Sequence, residues 1–310
     1  MHRGAVLSQA AQPFLTRARR IESTAYARTA TNPLSSVSEP LEVIRPVGNR
    51  LFPDFSEVWR FRDLAAALGR RDVTLRYRQT LLGVVWVVLQ PLIAGGLFTV
   101  VFGKVAKLPS DGVPYFLFAY AGFIAWTTFQ NALVRSSGSL LAQSSLVTKV
   151  YFPRLVLPLS ALWSTAMDFL VGMGSLVVLM VMFRVPLGWP LLLLPVWVAL
   201  LLLTGLGIGT LSAALSVRYR DLQYALPVLV QLLLYASPVA YGTAAVPERF
   251  RALFVLNPLA GMLDGFRWSV AGTAPPSAVS VMMSGAGALV ALAVGCIFFA
   301  RFERRLADVI

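Results

Sequence analysis

From Thr80 to Phe102 the chain carries no charged side chain, and five further apolar runs follow, over about residues 115–133, 155–183, 191–215, 222–241 and 281–300. Roughly 20 apolar residues in helical conformation cover the ~30 Å of hydrocarbon in a bilayer. The pattern predicts an all-α, polytopic membrane protein with six transmembrane helices. Composition agrees, since 57% of the 310 residues are hydrophobic, only 13% are charged, and mean hydropathy is +0.71. Soluble domains rarely look like this.

The formal charge of +13 would suit a nucleic-acid partner, but the basic residues sit at the ends of apolar runs and not along one water-facing surface. Orientation against anionic lipid explains that placement, so membrane lipids are expected partners and nucleic acid is not. With both termini inside, fourteen Lys and Arg flank the inner ends of the runs, from Arg60, Arg62, Arg70, Arg71, Arg76 and Arg78 through to Arg301, Arg304 and Arg305. The outer loops carry six, among them Lys104, Arg184, Arg249 and Arg267. The richer side is the cytoplasmic one.

Residues 1–50 are rich in Ala, Ser, Thr, Pro and Arg, with no apolar run of helix length. They read as a disordered cytoplasmic tail, although Arg17, Arg19, Arg20 and Arg28 among few acids also match the composition of an organellar transit peptide. Residues 51–79 form the approach to the membrane, and residues 80–310 the six-span domain. Within the approach, Ser56 is placed to cap a helix over residues 56–68 that carries Val58, Phe61, Leu64, Ala65 and Leu68 on one face. Such a basic amphipathic helix is expected in the interface plane, with its apolar side against acyl chains.

Three features inside the runs invite a functional reading. Gln90 and Pro91 should interrupt the first span and leave a carbonyl that only protein or a pore can satisfy. The second run is crowded with aromatics, Tyr115, Phe116, Phe118, Tyr120, Phe123, Trp126 and Phe129, which either stack on something passing through or simply pack helices. Asp168 is the one formal charge in the six runs and needs a partner, a transport role or a proton. Gly205 and Gly209 have the spacing of a close helix contact, and the stretch between runs five and six holds two short apolar pieces that read as re-entrant or interfacial helices.

Enzyme chemistry finds little support. His2 is the sole histidine and Cys296 the sole cysteine, which leaves no His-based acid or base, no intramolecular disulfide and no Cys-rich metal site. Gly103-Lys104-Val105 lacks the first glycine and the hydroxyl of a phosphate-binding loop, and the carboxylates are scattered singly. No cofactor is expected on this chain.

Four motifs in order carry a resemblance: Arg76-Tyr77-Arg78-Gln79-Thr80-Leu81-Leu82-Gly83 leading through Trp86 to Pro91, then Lys149-Val150-Tyr151-Phe152-Pro153-Arg154 with Pro158, then Arg218-Tyr219-Arg220-Asp221-Leu222, then Asn257-Pro258. From about Leu51 onward the chain resembles ABC-2 type permeases that export polysaccharides. The resemblance implies a homodimer of six-span subunits in the bacterial inner membrane. Each would bear a separate ATPase subunit that holds the ATP and Mg. The cargo would be a polyprenyl-pyrophosphate-linked glycan such as O-antigen, galactan or a teichoic acid precursor.

By the same resemblance, Leu146, Lys149, Phe152, Pro153 and Arg154 would form the coupling segment on the ATPase. Val58, Trp59, Phe61, Leu64 and Leu68 would belong to the interface helix, and the first and fifth spans would line the conduit. A sugar polymer is polar yet presents C–H faces, so aromatic platforms hold it without fixed charge. Trp86, Gln90, Tyr120, Trp126, Tyr235 and Tyr241 are the conduit candidates, and Arg76 and Arg78 would meet the pyrophosphate at the inner mouth. The competing readings are an ABC-2 exporter of a small lipid or drug, and a membrane enzyme acting on polyprenyl-linked sugars.

Overall fold

The computed structural model describes residues 53–78, 83–147 and 149–307, so the tail expected over residues 1–50 lies outside the described residues. Among these residues the chain is all helix, with no strand. Two helices precede the bundle, α1 (Phe55–Arg60) and α2 (Arg62–Arg78). Then come α3 (Gly83–Phe98), which runs into a π-helical segment (Thr99–Val105), α4 (Tyr115–Ala142), the single turn α5 (Ser144–Val147), α6 (Val156–Met182) and α7 (Leu194–Arg218), the last preceded by a 3-10 turn at Trp189–Leu193. The remainder is α8 (Leu222–Ala236), α9 (Glu248–Leu256), α10 (Pro258–Ala271) and α11 (Ala278–Ala307).

Among the described residues, four stretches are long and apolar enough to cross a bilayer: Val85–Val105, Val156–Met182, Trp189–Arg218 and Ala278–Glu303. Helix α4 has 28 residues but carries more small and polar side chains, and α8 has only 15. Helix α4 is nevertheless the centre of the fold. It packs on α7 and α6 and also meets α3, α8 and α10. Its Tyr120, Phe123, Trp126, Phe129 and Leu133 share one buried cluster with Leu176, Trp197, Leu201, Met262 and Phe266. In hydrocarbon, such helix association rests on close packing and hydrogen bonds more than on transfer from water.

Small residues set the closest approach. A Cβ on Gly205 would fall 2.7 Å from the Ala132 Cβ and from the Phe129 carbonyl, and one on Gly209 would fall 2.7 Å from the Ser136 Cβ. The spacing of the two glycines thus marks the α4–α7 contact that the sequence suggested.

The structure corrects several expectations. Asp54, not Ser56, caps the first helix, accepting from the backbone N–H of Ser56 at 3.1 Å and of Glu57 at 3.4 Å. An ionised carboxylate is the stronger acceptor for a helix start. The single helix over residues 56–68 is instead two, with a turn at Phe61, and the second continues to Arg78. Its apolar face, expected against acyl chains, packs on protein in this structure. Val58, Phe61, Leu64, Ala65 and Leu68 pack onto Leu140, Phe152, Leu157, Ala213 and Phe299, while Trp59 stays exposed.

Pro91 does not break the first span, which stays helical through it. Val87, whose carbonyl loses its helical donor to Pro91, lines the same cavity as Gln90. Finally, the polar stretch after residue 133 is not a separate inner segment at its start. Helix α4 extends through it to Ala142, because Ser139 donates to the helix carbonyl of Ser136 and Arg135 finds an acid on α6.

Candidate functional site

Asp168, 5% exposed in the middle of α6, is held from three directions. The Tyr77 hydroxyl donates to its Oδ1 at 2.5 Å, while Arg135 Nη2 donates to Oδ2 and Arg76 Nη1 lies 3.3 Å from that same oxygen. Arg135 also donates through Nη1 to Ser164 Oγ at 3.1 Å. One carboxylate therefore ties α2, α4 and α6 together, and its charge is met twice by guanidinium. Removing a partner from such a buried cluster is far costlier than the cluster's net contribution to stability. Of these groups the sequence singled out Arg76 and Asp168 but did not join them, and it missed Tyr77 and Arg135. The available signal was the need of a carboxylate in an apolar run for a cation at the edge of a neighbouring run.

Two cavities adjoin this cluster. One, about 90 Å³, lies between α3, α4 and α6 and is lined by Trp86, Gln90, Gln130, Asn131, Thr127 and Asp168, with Arg76 on its wall. The other, about 330 Å³, lies between α2, α4 and α6 and is lined by Asp72, Arg76, Arg135, Ser139, Gln143 and Ser160, among others. Arg76 belongs to both walls. Amide and hydroxyl groups so placed inside an apolar bundle can exchange hydrogen bonds with a polar cargo.

The conduit candidates separate into two groups. Trp86 is 54% exposed and Tyr235 60%, Gln90 is also exposed, and the Tyr241 hydroxyl donates to the Tyr235 carbonyl at 3.1 Å. Tyr120 and Trp126, by contrast, are fully enclosed. The Tyr120 hydroxyl meets Ser175 Oγ at 2.5 Å, and Trp126 Nε1 donates to Gln130 Oε1 at 2.8 Å. Neither ring offers a face to a passing sugar, so packing is the role this geometry gives them. Arg76 lies at the cluster as described, and the side chain of Arg78 lies outside the described residues.

The coupling candidates separate likewise. Phe152 is buried beside Leu155, Leu157 and Phe299, so it anchors the segment from within and offers no surface to a partner. Arg154 N–H donates to Glu303 Oε1 at 2.9 Å, which fixes the segment to α11, and Pro153 is half-buried between the two. Lys149, Val150 and Tyr151 are exposed at the tip, with Leu146 partly buried against the cluster beneath. Tyr151 reaches Glu57 Oε1 at 3.4 Å, placing α1 beside the tip.

At the far end of α4, Arg267 is buried at 1% exposure although its sequence position suggested an outer-loop charge. It pairs with Asp264 at 3.0 Å, stacks 4.3 Å from the Phe118 ring centroid and donates to the carbonyls of Pro238 and Val239. Thr243 Oγ1 donates to the other Asp264 oxygen at 2.8 Å, and the Tyr115 hydroxyl donates to the Ala240 carbonyl at 2.7 Å. The chain leaving α8 is thus clamped to α4 and α10.

Residues 64–271 match the ABC-2 type transporter family. The chain is 28% identical over 250 residues to the O-antigen export system permease protein RfbA of Myxococcus xanthus, covering 80% of this chain and 95% of the relative. It is 25% identical over 256 residues to the protein of the same name from Klebsiella pneumoniae, again over 80% and 95%. The polysialic acid transport protein KpsM of Escherichia coli is 23% identical over 248 residues, 77% of this chain and 93% of its own. With most of its bundle inside the matched stretch, this chain belongs to the ABC-2 type transporter family.

Proposed function

We propose that the chain is the permease subunit of an ABC transporter that exports a polyprenyl-pyrophosphate-linked polysaccharide across the bacterial inner membrane. In this reading α3 with its π-helical continuation, α4, α6, α7, α8 and α11 are six spans, α9 and α10 are the re-entrant or interfacial pair, and both termini are cytoplasmic. Two copies associate. ATP and Mg are bound by a separate ATPase subunit seated on Lys149, Val150 and Tyr151, and Arg76 and Arg78 meet the pyrophosphate of the cargo.

The observation that carries the reading is the polar cavity behind Trp86 and Gln90, next to a helix that leaves Val85, Trp86, Ile93 and Leu97 uncovered within one chain. A second copy against α3 and α8 would cover that apolar wall and extend the cavity into a conduit with Trp86, Gln90, Tyr235 and Tyr241 along it. The kinship with O-antigen and polysialic acid permeases supports a glycan cargo. The test is reconstitution of the chain with its ATPase in proteoliposomes loaded with a lipid-linked glycan. ATP-dependent movement of the glycan to the opposite leaflet is expected. Turnover that responds to small lipids or drugs but not to lipid-linked glycan would sink the reading.

A further inference from the structure

We infer that the 330 Å³ pocket between α2, α4 and α6 binds a phosphate ester bearing neighbouring hydroxyls, with Arg76 and Arg135 as its cations and Asp168 as the internal anion that occupies them until the phosphate arrives. The pocket wall has both guanidinium side chains on it, and both reach the single oxygen Oδ2 of Asp168. Two cations on one carboxylate leave one positive charge over within the trio, and a phosphate supplies more acceptor oxygens than that one shared atom.

Asp72 also lines the pocket, its carboxylate held by Arg71 at 3.0 Å, and the other polar residues of the lining supply partners for the groups beside a phosphate. Gln143 is 7% exposed, lines the pocket, and its buried Oε1 has no hydrogen-bond partner among the described residues. A buried acceptor left in that state calls for a donor, and a ligand hydroxyl provides one. Ser139 and Ser160 donate to carbonyls of their own helices, Ser136 and Leu157, so their oxygens remain available as acceptors facing the same space. Glycosyl phosphate and phosphoglycerol both offer this combination of anion and adjacent hydroxyls. Arg76 also lines the smaller cavity behind Trp86 and Gln90, so a phosphate that draws Arg76 away from Asp168 alters the wall common to both chambers.

The site stands on its own geometry. Its assignment to the cargo's phosphate, as against a lipid headgroup, rests on the export reading above. The full chain is titrated by native mass spectrometry with phosphatidylglycerol, undecaprenyl-pyrophosphate-linked N-acetylglucosamine and, as a phosphate-free control, dioleoylglycerol. Arg135→Gln should weaken binding of the phosphate lipids about tenfold, and Asp168→Asn should tighten it by a similar factor by removing the competing anion.

Gly138→Leu is the second variant. A Cβ at Gly138, on the pocket wall, meets nothing within 4 Å, so the backbone there accepts a side chain, and the leucine is introduced to occupy the pocket. Loss of binding in this variant is expected. Response to the undecaprenyl-pyrophosphate-linked sugar alone assigns the site to cargo, and response to phosphatidylglycerol alone assigns it to membrane lipid. Weaker binding in Asp168→Asn, or unchanged binding in Gly138→Leu, overturns the inference. Glycan-stimulated ATP turnover is measured alongside with the partner ATPase. If it fails while phosphate binding persists, the export reading falls and the site remains.

Discussion

Tyr77 and Asp168 are 91 positions apart in sequence, yet the phenol donates to the carboxylate at 2.5 Å and so fastens the last turns of α2 to the middle of α6. Burial, followed by the hydrogen bond to Asp168, raises the Tyr77 pKa above its ordinary value of 10.0. The folded state therefore holds a proton that the unfolded chain releases near pH 10. Stability from this contact is complete below that pH and declines as pH rises toward the folded value. Tyr77→Phe should flatten the alkaline decline in thermal unfolding and cost about 1.5 to 3 kcal/mol at neutral pH, the scale of a hydrogen bond to a charged group. An unchanged alkaline limb in the variant would contradict this.

The tip after α5 and the aromatic beneath it should respond differently. Lys149→Glu and Tyr151→Ala lie on the exposed tip, and are expected to reduce copurification of the ATPase while leaving the melting temperature of the free chain in place. Phe152→Ala empties a buried position and should cost about 3 to 5 kcal/mol. Its failure to assemble would accompany loss of fold. Measuring both quantities for all three variants separates a docking surface from its support.

Trp86 and Tyr120 form another such pair. Trp86→Ala removes an exposed platform beside the polar cavity, and glycan export should slow about three- to tenfold with the complex intact, the scale of one lost aromatic contact. Tyr120→Phe instead deletes a buried hydroxyl partner of Ser175, so thermostability should fall by about 1 kcal/mol with little change in export rate per folded molecule. Equal effects on export would show that the division by burial is mistaken.

Adding a methyl group at Gly205 drives it into Ala132 and the Phe129 carbonyl, so Gly205→Ala should destabilise by about 1 to 3 kcal/mol through overpacking. Gly285→Ala is the matched control in α11, where an added Cβ has nothing within 4 Å. That change should stabilise by about 0.5 to 1 kcal/mol, because glycine loses more backbone freedom than alanine in a helix. Thermal aggregation of the two purified variants reads the difference.

At the other end of the bundle, Asp264→Ala would leave the Arg267 guanidinium buried without its acid, at a cost of about 3 to 5 kcal/mol. Replacing both, with Asp264→Ala combined with Arg267→Met, should recover much of that loss. A double variant as unstable as the single one would place the value of Arg267 in its bonds to Pro238 and Val239 and not in the ion pair.

The longest helices were legible because period and apolar length are local properties, and α6 at Val156–Met182 falls one residue inside each expected boundary. What the sequence hid was pairing across distance. Nothing near Arg135 in sequence announces an acid on another helix, so the run was ended at residue 133 when α4 in fact continues to Ala142. Arg267 was misplaced for the same reason, since its two carbonyl partners and Phe118 come from segments 28 or more positions away. Tyr120 and Trp126 were ambiguous by chemistry, because an aromatic ring serves a core and a sugar equally well and only its exposure distinguishes them. Asp54 was overlooked because the hydroxyl of Ser56, two residues later, has the same capping preference.

Helix α8 has 15 residues, about 22 Å at 1.5 Å each, against the ~30 Å of hydrocarbon in a bilayer. Val228, Leu229 and Leu232 lie exposed along it, so in the proposed dimer the second copy would cover a wall shorter than the oil beside it. The conduit proposed between the copies would then be walled there by a segment about 8 Å shorter than the hydrocarbon, and the path a polar headgroup follows would shorten with it.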